Sequence, residues 1–130
     1  MSVSPPCVLL VEDEPLIRML TIDMLDVLGF AAAEAATGAE ALAIDDGTLK
    51  ALAGLVIDLG LPDMPGEDVA RGLRERRPDL PVVFTTGADA SEALRRLAGD
   101  GPVVALEKPY QFNDLEAAAS ILKTSAGGVA

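Results

Sequence analysis

The sequence contains no histidine and no tryptophan, one cysteine, three phenylalanines and one tyrosine among 130 residues. Without histidine the chain builds no Ser-His-Asp or Cys-His catalytic group, no histidine metal site and no phosphohistidine. One thiol closes no internal disulfide and forms no cysteine-rich zinc site, so a reduced, cytoplasmic setting is expected. Cys7 opens an apolar run and reads as a small buried hydrophobe. Long hydrophobic runs are also missing: none approaches the ~18 to 20 residues that span a bilayer. Residues 1–6 carry no base ahead of an apolar stretch, unlike a signal peptide. Bases are scarce, 10 against 21 acids, for a net charge of −11. That balance opposes binding to nucleic acid or an anionic membrane and favours cations wherever acids converge. Six bases, Arg71, Arg74, Arg76, Arg77, Arg95 and Arg96, fall within one quarter of the chain. They read as a solvated helix face, with a surface for an acidic partner as the sharper alternative.

What the chain does have is alternation. Cys7-Val8-Leu9-Leu10-Val11 is a continuous apolar run, the pattern of a strand buried on both faces. Glu12-Asp13-Glu14-Pro15 follows, with proline suited to the first helical position and acids to the helix dipole. Leu16, Ile17, Leu20, Met24, Leu25 and Leu28 recur at helical spacing up to a stop at Gly29. Residues 30–35 form a weaker strand. Thr37-Gly38-Ala39-Glu40 matches a capping box and starts a helix to about Ile44, which Asp45-Asp46-Gly47 breaks. Leu55-Val56-Ile57 is a buried strand ending at Asp58, and 59–65 is a loop with two prolines. Residues 67–77 form a helix that Pro78 ends. Val82-Val83-Phe84 is a fourth strand running into Thr85-Thr86-Gly87, and 91–97 is a short helix. Residues 103–106 form a fifth strand ahead of Glu107-Lys108-Pro109-Tyr110. Asn113, with Glu116 three residues later, starts a last helix to about Lys123, and 124–130 reads as a frayed tail.

Five βα units predict an α/β fold: a parallel sheet with helices on both faces, a flavodoxin-like doubly wound three-layer sandwich of strand order 2-1-3-4-5. One domain is expected over 7–123, with flexible ends at 1–6 and 124–130 and no output domain. In such folds ligands bind beyond the carboxyl ends of the strands, where the order reverses. That rim collects Glu12 and Asp13 after the first strand, Asp58 after the third, Thr85 and Thr86 after the fourth, and Lys108 after the fifth. Gly60 and Gly87 keep the loops between them small. Carboxylates ~5 Å apart repel by about 3 kcal/mol per pair at an effective dielectric of ~20. One lysine does not offset this, and a divalent cation such as Mg²⁺ does. A cation there also cancels the charge of an incoming phosphoryl group. Asp58 is a carboxylate able to attack phosphorus, with Lys108 and Thr86 placed to hold phosphoryl oxygens.

Val8-Leu9-Leu10-Val11-Glu12-Asp13-Glu14, Val56-Ile57-Asp58-Leu59-Gly60-Leu61-Pro62, Thr86-Gly87 and Lys108-Pro109-Tyr110, in that order, resemble the receiver domain of two-component response regulators. The resemblance covers nearly the whole chain. It implies Asp58 as phosphoacceptor, and as Mg²⁺ site Asp13, Asp58, the backbone carbonyl of Gly60, and Glu12 through water. It implies Thr86 as the switch hydroxyl with Gly87 beside it, and Lys108 as the family's lysine. The phosphoryl group would come from a histidine kinase or histidine phosphotransfer protein. Output would be binding to another protein or onward phosphorelay, with no catalysis beyond the chain's own phosphorylation and dephosphorylation. A monomer is expected, and Arg95, Arg96 and Tyr110 are candidate partner contacts.

One departure matters. Many receivers carry an aromatic residue three positions before the lysine, which swings inward when the hydroxyl engages phosphate. Here that position is Ala105, between Val104 and Leu106. Phe84-Thr85-Thr86-Gly87 resembles instead a receiver subgroup with Phe-Ala-Thr-Gly, which also lacks the aromatic. The match is partial: Thr85 replaces alanine, and Asp89 stands where that subgroup has tyrosine. The switch is then expected as an order change over 87–101, a glycine-bearing segment with a short apolar face. Two other classes compete. A phosphatase with an aspartyl intermediate usually has a second acid two residues after the nucleophile, and Gly60 occupies that place. A pseudo-receiver would use the fold only as a constitutive binding module, although all the phosphorylation residues are present.

Overall fold

Apolar runs at strand length, spaced by amphipathic segments, produce a parallel sheet in the computed structural model, which describes residues 5–97 and 101–122. The strands are β1 (Cys7–Val11), β2 (Ala31–Ala35), β3 (Gly54–Asp58), β4 (Val82–Thr86) and β5 (Val103–Glu107). The helices are α1 (Pro15–Val27), α2 (Gly38–Leu42), α3 (Asp46–Ala51), α4 (Gly66–Arg76), α5 (Ser91–Leu97) and α6 (Phe112–Ala118), the last tightening into a 3₁₀ turn at Ala119–Ile121. All strand pairs are parallel, in the order β2-β1-β3-β4-β5. This is the flavodoxin-like doubly wound sandwich that the alternation predicts.

Side chains alternate across the strands, so each strand feeds two cores. Leu9, Val11, Leu55, Ile57, Val82 and Phe84 pack on one face with Ala41, Leu49, Leu73 and Leu97 from α2 to α5. Val8, Leu10, Val56, Val83 and Leu106 pack on the other with Leu25 of α1 and Leu115 of α6. β3 and β4 are buried along their whole length, as their apolar sequences require. Register then aligns the strand ends: Asp58 lies opposite Thr85, and Thr86 opposite Glu107. Among the described residues no helix is long and apolar enough to cross a membrane.

Local caps explain where the helices begin, and two differ from expectation. Asp45-Asp46-Gly47 does not simply break a helix but starts α3. The Asp45 carboxylate accepts the Thr48 amide at 3.0 Å and its hydroxyl at 2.6 Å, which outweighs the turn tendency of the run. The last helix starts before Asn113, which lies inside it. The Gln111 amide donates to Asp114 at 2.9 Å instead. Thr37 does cap α2, accepting the Glu40 amide at 3.1 Å, while the Glu40 carboxylate takes the Ala36 amide at 3.0 Å. Gly29 ends α1 at φ +94°, a conformation suited to glycine. The expectations for Lys123, for residues 1–4 and 124–130 and for Gly99 fall outside the described residues.

The arginine group is only in part a solvated face: Arg71, Arg76, Arg95 and Arg96 are exposed, and two of the six are not. Arg74 and Arg77 are 8% and 9% exposed. Arg77 donates to Leu49 O and Leu52 O, both at 2.8 Å, at the end of α3. Arg74 donates to Leu97 O at 2.7 Å, at the end of α5, and to Leu80 O and Pro102 O. Arg76 donates to Leu42 O and Ile44 O beyond α2. Helix C-termini leave carbonyls without intrahelical partners and carry partial negative charge. α4 lies between those ends, and its long side chains reach them.

Asp63, in the β3–α4 loop, accepts the Gly38 and Ala39 amides at the start of α2, both at 2.9 Å. Those amides hold its carboxyl below the usual aspartate value, and the Thr48 hydroxyl and amide do the same for Asp45. A carboxyl depressed in the folded state contributes stability that is complete above the unfolded value, 3.8, and lost as pH falls through the folded one. The difference in thermal midpoint between wild type and Asp45→Ala is therefore expected to stay constant above about pH 5 and to narrow in more acidic buffers. Melting curves across that range check it.

Candidate functional site

The carboxyl ends of β1, β3, β4 and β5 bring the predicted residues to one rim. Glu12 follows β1 directly, and its amide bonds Ala35 O at 3.0 Å, continuing the ladder by one residue. Its carboxylate, 2% exposed, accepts the Glu14 amide at 3.1 Å and Lys108 Nζ at 2.9 Å. Asp58, 8% exposed, accepts the Gly60 amide at 3.1 Å on Oδ1 and Lys108 Nζ at 3.0 Å on Oδ2. Lys108 thus bridges the two carboxylates from the far edge of the sheet. It is placed there by its own amide, which donates to Thr86 O at 2.7 Å, ahead of a cis Lys108–Pro109 bond. Carboxylate oxygens of Glu12, Asp13 and Asp58 all lie within 4.8 Å of one another.

Burial sets the electrostatics. Loss of water pushes the Glu12 carboxyl above its usual range; the Glu14 amide and Lys108 oppose this, and the Asp58 charge adds to it. Burial works against the Lys108 charge, but the hydrogen bonds to Glu12 and Asp58 outweigh it and hold the ammonium above the usual lysine value. The carboxylate spacing suits a small hard cation, whose adjacent oxygen ligands at ~2.1 Å stand a few ångströms apart. Glu12, Asp13 and Asp58 are the side chains here that could hold Mg²⁺, and the Gly60 amide ties the following loop to Asp58.

Thr86 ends β4 and is buried. Its hydroxyl oxygen accepts the Ala88 amide at 3.0 Å, which leaves its own proton free to donate. Gly87 next to it is exposed, and a Cβ there would meet nothing within 4 Å. Ala105 faces outward from β5 as an exposed residue. Of the candidate partner contacts, Arg95 is exposed, whereas Arg96 pairs with Glu67 of α4 at 3.0 Å and with Glu92 of its own helix. The Tyr110 hydroxyl lies 2.6 Å from Thr21 Oγ1 on α1. Thr21 already donates to Ile17 O at 2.8 Å, so Tyr110 is the donor between them.

Several residues here went unnoticed in the sequence. Arg18 donates to Glu12 O at 2.7 Å and pins the turn after β1. Gly66 sits so close under the end of β3 that a Cβ would lie 2.2 Å from Asp58 O. Its signal, Pro65-Gly66 before an amphipathic run, reads only as a turn.

Comparison with known proteins follows the same lines. Residues 8–120 match the family model described as the response regulator receiver domain. The chain is similar to the sensor kinase CckA of Brucella abortus (strain 2308), 35% identical over 83% of this chain and 11% of that protein. It is similar to the photosynthetic apparatus regulatory protein RegA of Rhodovulum sulfidophilum, 37% identical over 88% of this chain and 61% of that protein. It therefore spans less than two thirds of either relative. A response regulator receiver protein from Sinorhizobium medicae WSM419 superposes at a TM-score of 0.73 with 30% identity, covering 92% of this chain and 94% of that one. TrrA of Thermotoga maritima, solved in complex with Mg(2+)-BeF, gives 0.73 and 27%, covering 88% and 96%.

The two glycines near Asp58 differ in what they tolerate. Gly66→Ala drives a methyl into backbone and is expected to cost about 1–3 kcal/mol in urea unfolding. Gly60→Ala, whose Cβ would meet only Asp58 Oδ1 at 4.0 Å, is expected to stay within about 0.5 kcal/mol of wild type.

Proposed function

The chain belongs to the response regulator receiver domain family of two-component systems, and from that membership we propose that it accepts a phosphoryl group on Asp58 in a Mg²⁺-dependent reaction. Receiver domains are signalling modules rather than classical enzymes, and they interact with histidine kinases and downstream effectors. The observation that carries the reading is the Asp58 carboxylate at the end of the central strand, bridged by Lys108 to Glu12 and grouped with Asp13. Of the three acids, Asp58 alone lies on the strand that pairs with the hydroxyl-bearing β4.

In this reading an Asp58 oxygen attacks the phosphorus of a phosphohistidine on a kinase or phosphotransfer protein. An oxygen–phosphorus bond forms, the nitrogen–phosphorus bond breaks, and the donor imidazole takes a proton. Glu12, Asp13 and Asp58 would hold the Mg²⁺, which when bound would supply positive charge for the phosphoryl oxygens. Lys108 turns its ammonium from carboxylate to phosphoryl oxygen, and Thr86 donates its unused hydroxyl proton. A donor protein has a place to seat beside the acids. Leu16, Met19 and Leu20 are exposed at the start of α1. Leu20 also lines a cleft of about 370 Å³ with Ile17, Met24, Lys108, Pro109 and Tyr110. The lone thiol, Cys7, suits the reducing cytoplasm in which we place the protein. Output is by binding to a further protein or by onward phosphorelay.

With alanine at 105 the signal passes through the segment after β4. α5 buries only Ala93 and Leu97 and is tied to α4 by Arg96 and Glu67. Drawing Thr86 and Lys108 toward a phosphoryl group biases that segment between two arrangements. Moving a 1:99 equilibrium to parity takes about 2.7 kcal/mol, within reach of one or two charge-assisted hydrogen bonds.

Two measurements test this function. Incubation with Mg²⁺ and a small phosphodonor is expected to add the mass of one phosphoryl group to wild type and none to Asp58→Ala. No adduct on wild type leaves the fold as a constitutive binding module, and an undiminished adduct in Asp58→Ala removes the acceptor role. Amide exchange with and without a phosphoryl mimic is expected to differ over residues 87–97; equal protection in both states defeats the switch.

A further inference from the structure

The direction of the Gly60 carbonyl is set by the path of the β3–α4 loop. The base of that loop is closed by the Gly66 amide on Leu59 O at 2.9 Å and by an antiparallel bridge between Gly60 and Pro65. The far side is held differently. Among the described residues, the side-chain hydrogen bonds that tie the tip to another element both come from Asp63. Each of its oxygens takes one amide of α2, Gly38 on Oδ1 and Ala39 on Oδ2, each at 2.9 Å. Two donors on two oxygens fix the plane of the carboxylate as well as its distance. The approach is close: a Cβ on Gly38 would lie 2.6 Å from Met64 Cγ and 2.8 Å from Val69 Cγ2. α2 is in turn anchored by Ala41 in the core and by Arg76 on Leu42 O at 3.1 Å.

We propose that Asp63 is a positioning residue for the metal: by clamping the first amides of α2 it fixes the loop that carries Gly60, whose carbonyl would serve as a Mg²⁺ ligand. The inference rests on the phosphoacceptor reading above and assigns a role to a residue outside the acidic cluster. Groups that orient a metal ligand without touching the ion change affinity by about 10- to 100-fold. A carbonyl steered by a loop belongs at the lower end of that range.

The test is Mg²⁺ titration of the full chain by calorimetry, beside amide exchange in metal-free buffer. Asp63→Ala is expected to weaken Mg²⁺ binding about tenfold and to speed exchange at the Gly60 and Gly66 amides. Asp63→Asn keeps one acceptor oxygen and is expected to fall between; it carries the test if Asp63→Ala does not fold. Thr37→Ala removes the other cap of α2, the Glu40 amide bond, without touching the loop, and is expected to bind Mg²⁺ as wild type does. Wild-type affinity in Asp63→Ala overturns the proposal alone. An equal loss in Thr37→Ala also overturns it, because fraying of α2 is then the cause. A wild-type chain that binds no Mg²⁺ defeats the phosphoacceptor reading and this proposal with it.

Discussion

Repulsion among three carboxylates within 4.8 Å of one another governs this end of the sheet. At an effective dielectric of ~20 each ionised pair opposes the fold by roughly 3 kcal/mol. The chain meets that strain with one cation from the opposite edge, Lys108, and with backbone amides from Glu14 and Gly60. The answer is incomplete, since burial still keeps the Glu12 carboxyl above its ordinary range. A site left short of positive charge is ready for a divalent ion, and a fold that carries such a site is less stable than it need be. The rest of the molecule supplies the stiffness that this requires. β3 and β4 are buried end to end, and Arg18 and the Thr86 carbonyl fix the two turns that carry Glu12 and Lys108.

Positioning extends to atoms that carry no side chain. Gly60 and Gly66 lie at the two ends of one loop and serve different purposes. Gly66 lets the backbone pass under the Asp58 carbonyl, where no larger residue fits. Gly60 has open space about it and leaves the mouth of the site clear. Asp63, between them, belongs chemically to a helix cap and spatially to the loop, so one carboxylate joins secondary structure to the site.

The strand runs, the order of the sheet and the grouping of Glu12, Asp13, Asp58 and Lys108 were legible in the sequence, as was the place of Thr86 at the end of β4. The runs follow from burial periodicity and the grouping from polar residues at strand ends, both local signals, while the order follows from the way five βα units usually wind. α3 was not legible, because Asp45 is at once a turn former and a helix cap, and only the position of Thr48 decides between them. The cap at Gln111 was hidden for a different reason: glutamine is not a preferred cap, and Asn113 with Glu116 offered a more familiar pattern two residues later. Arg74 and Arg77 were read as solvated because composition does not say which distant carbonyl a guanidinium will reach. The Thr21–Tyr110 contact, 89 positions apart in the chain, left no local trace at all.

The inward turn of the arginines changes what a visitor meets. A formal charge of −11 counts Arg74 and Arg77 as ordinary cations, yet both spend donors on backbone carbonyls of helix ends and loops. Lys108 is spent on Glu12 and Asp58 in the same way. The coat offered to solvent is consequently poorer in available positive groups than the tally states. Macromolecules with anionic skins find few handholds on it, and away from the apolar start of α1 a visiting protein is met mainly by acids.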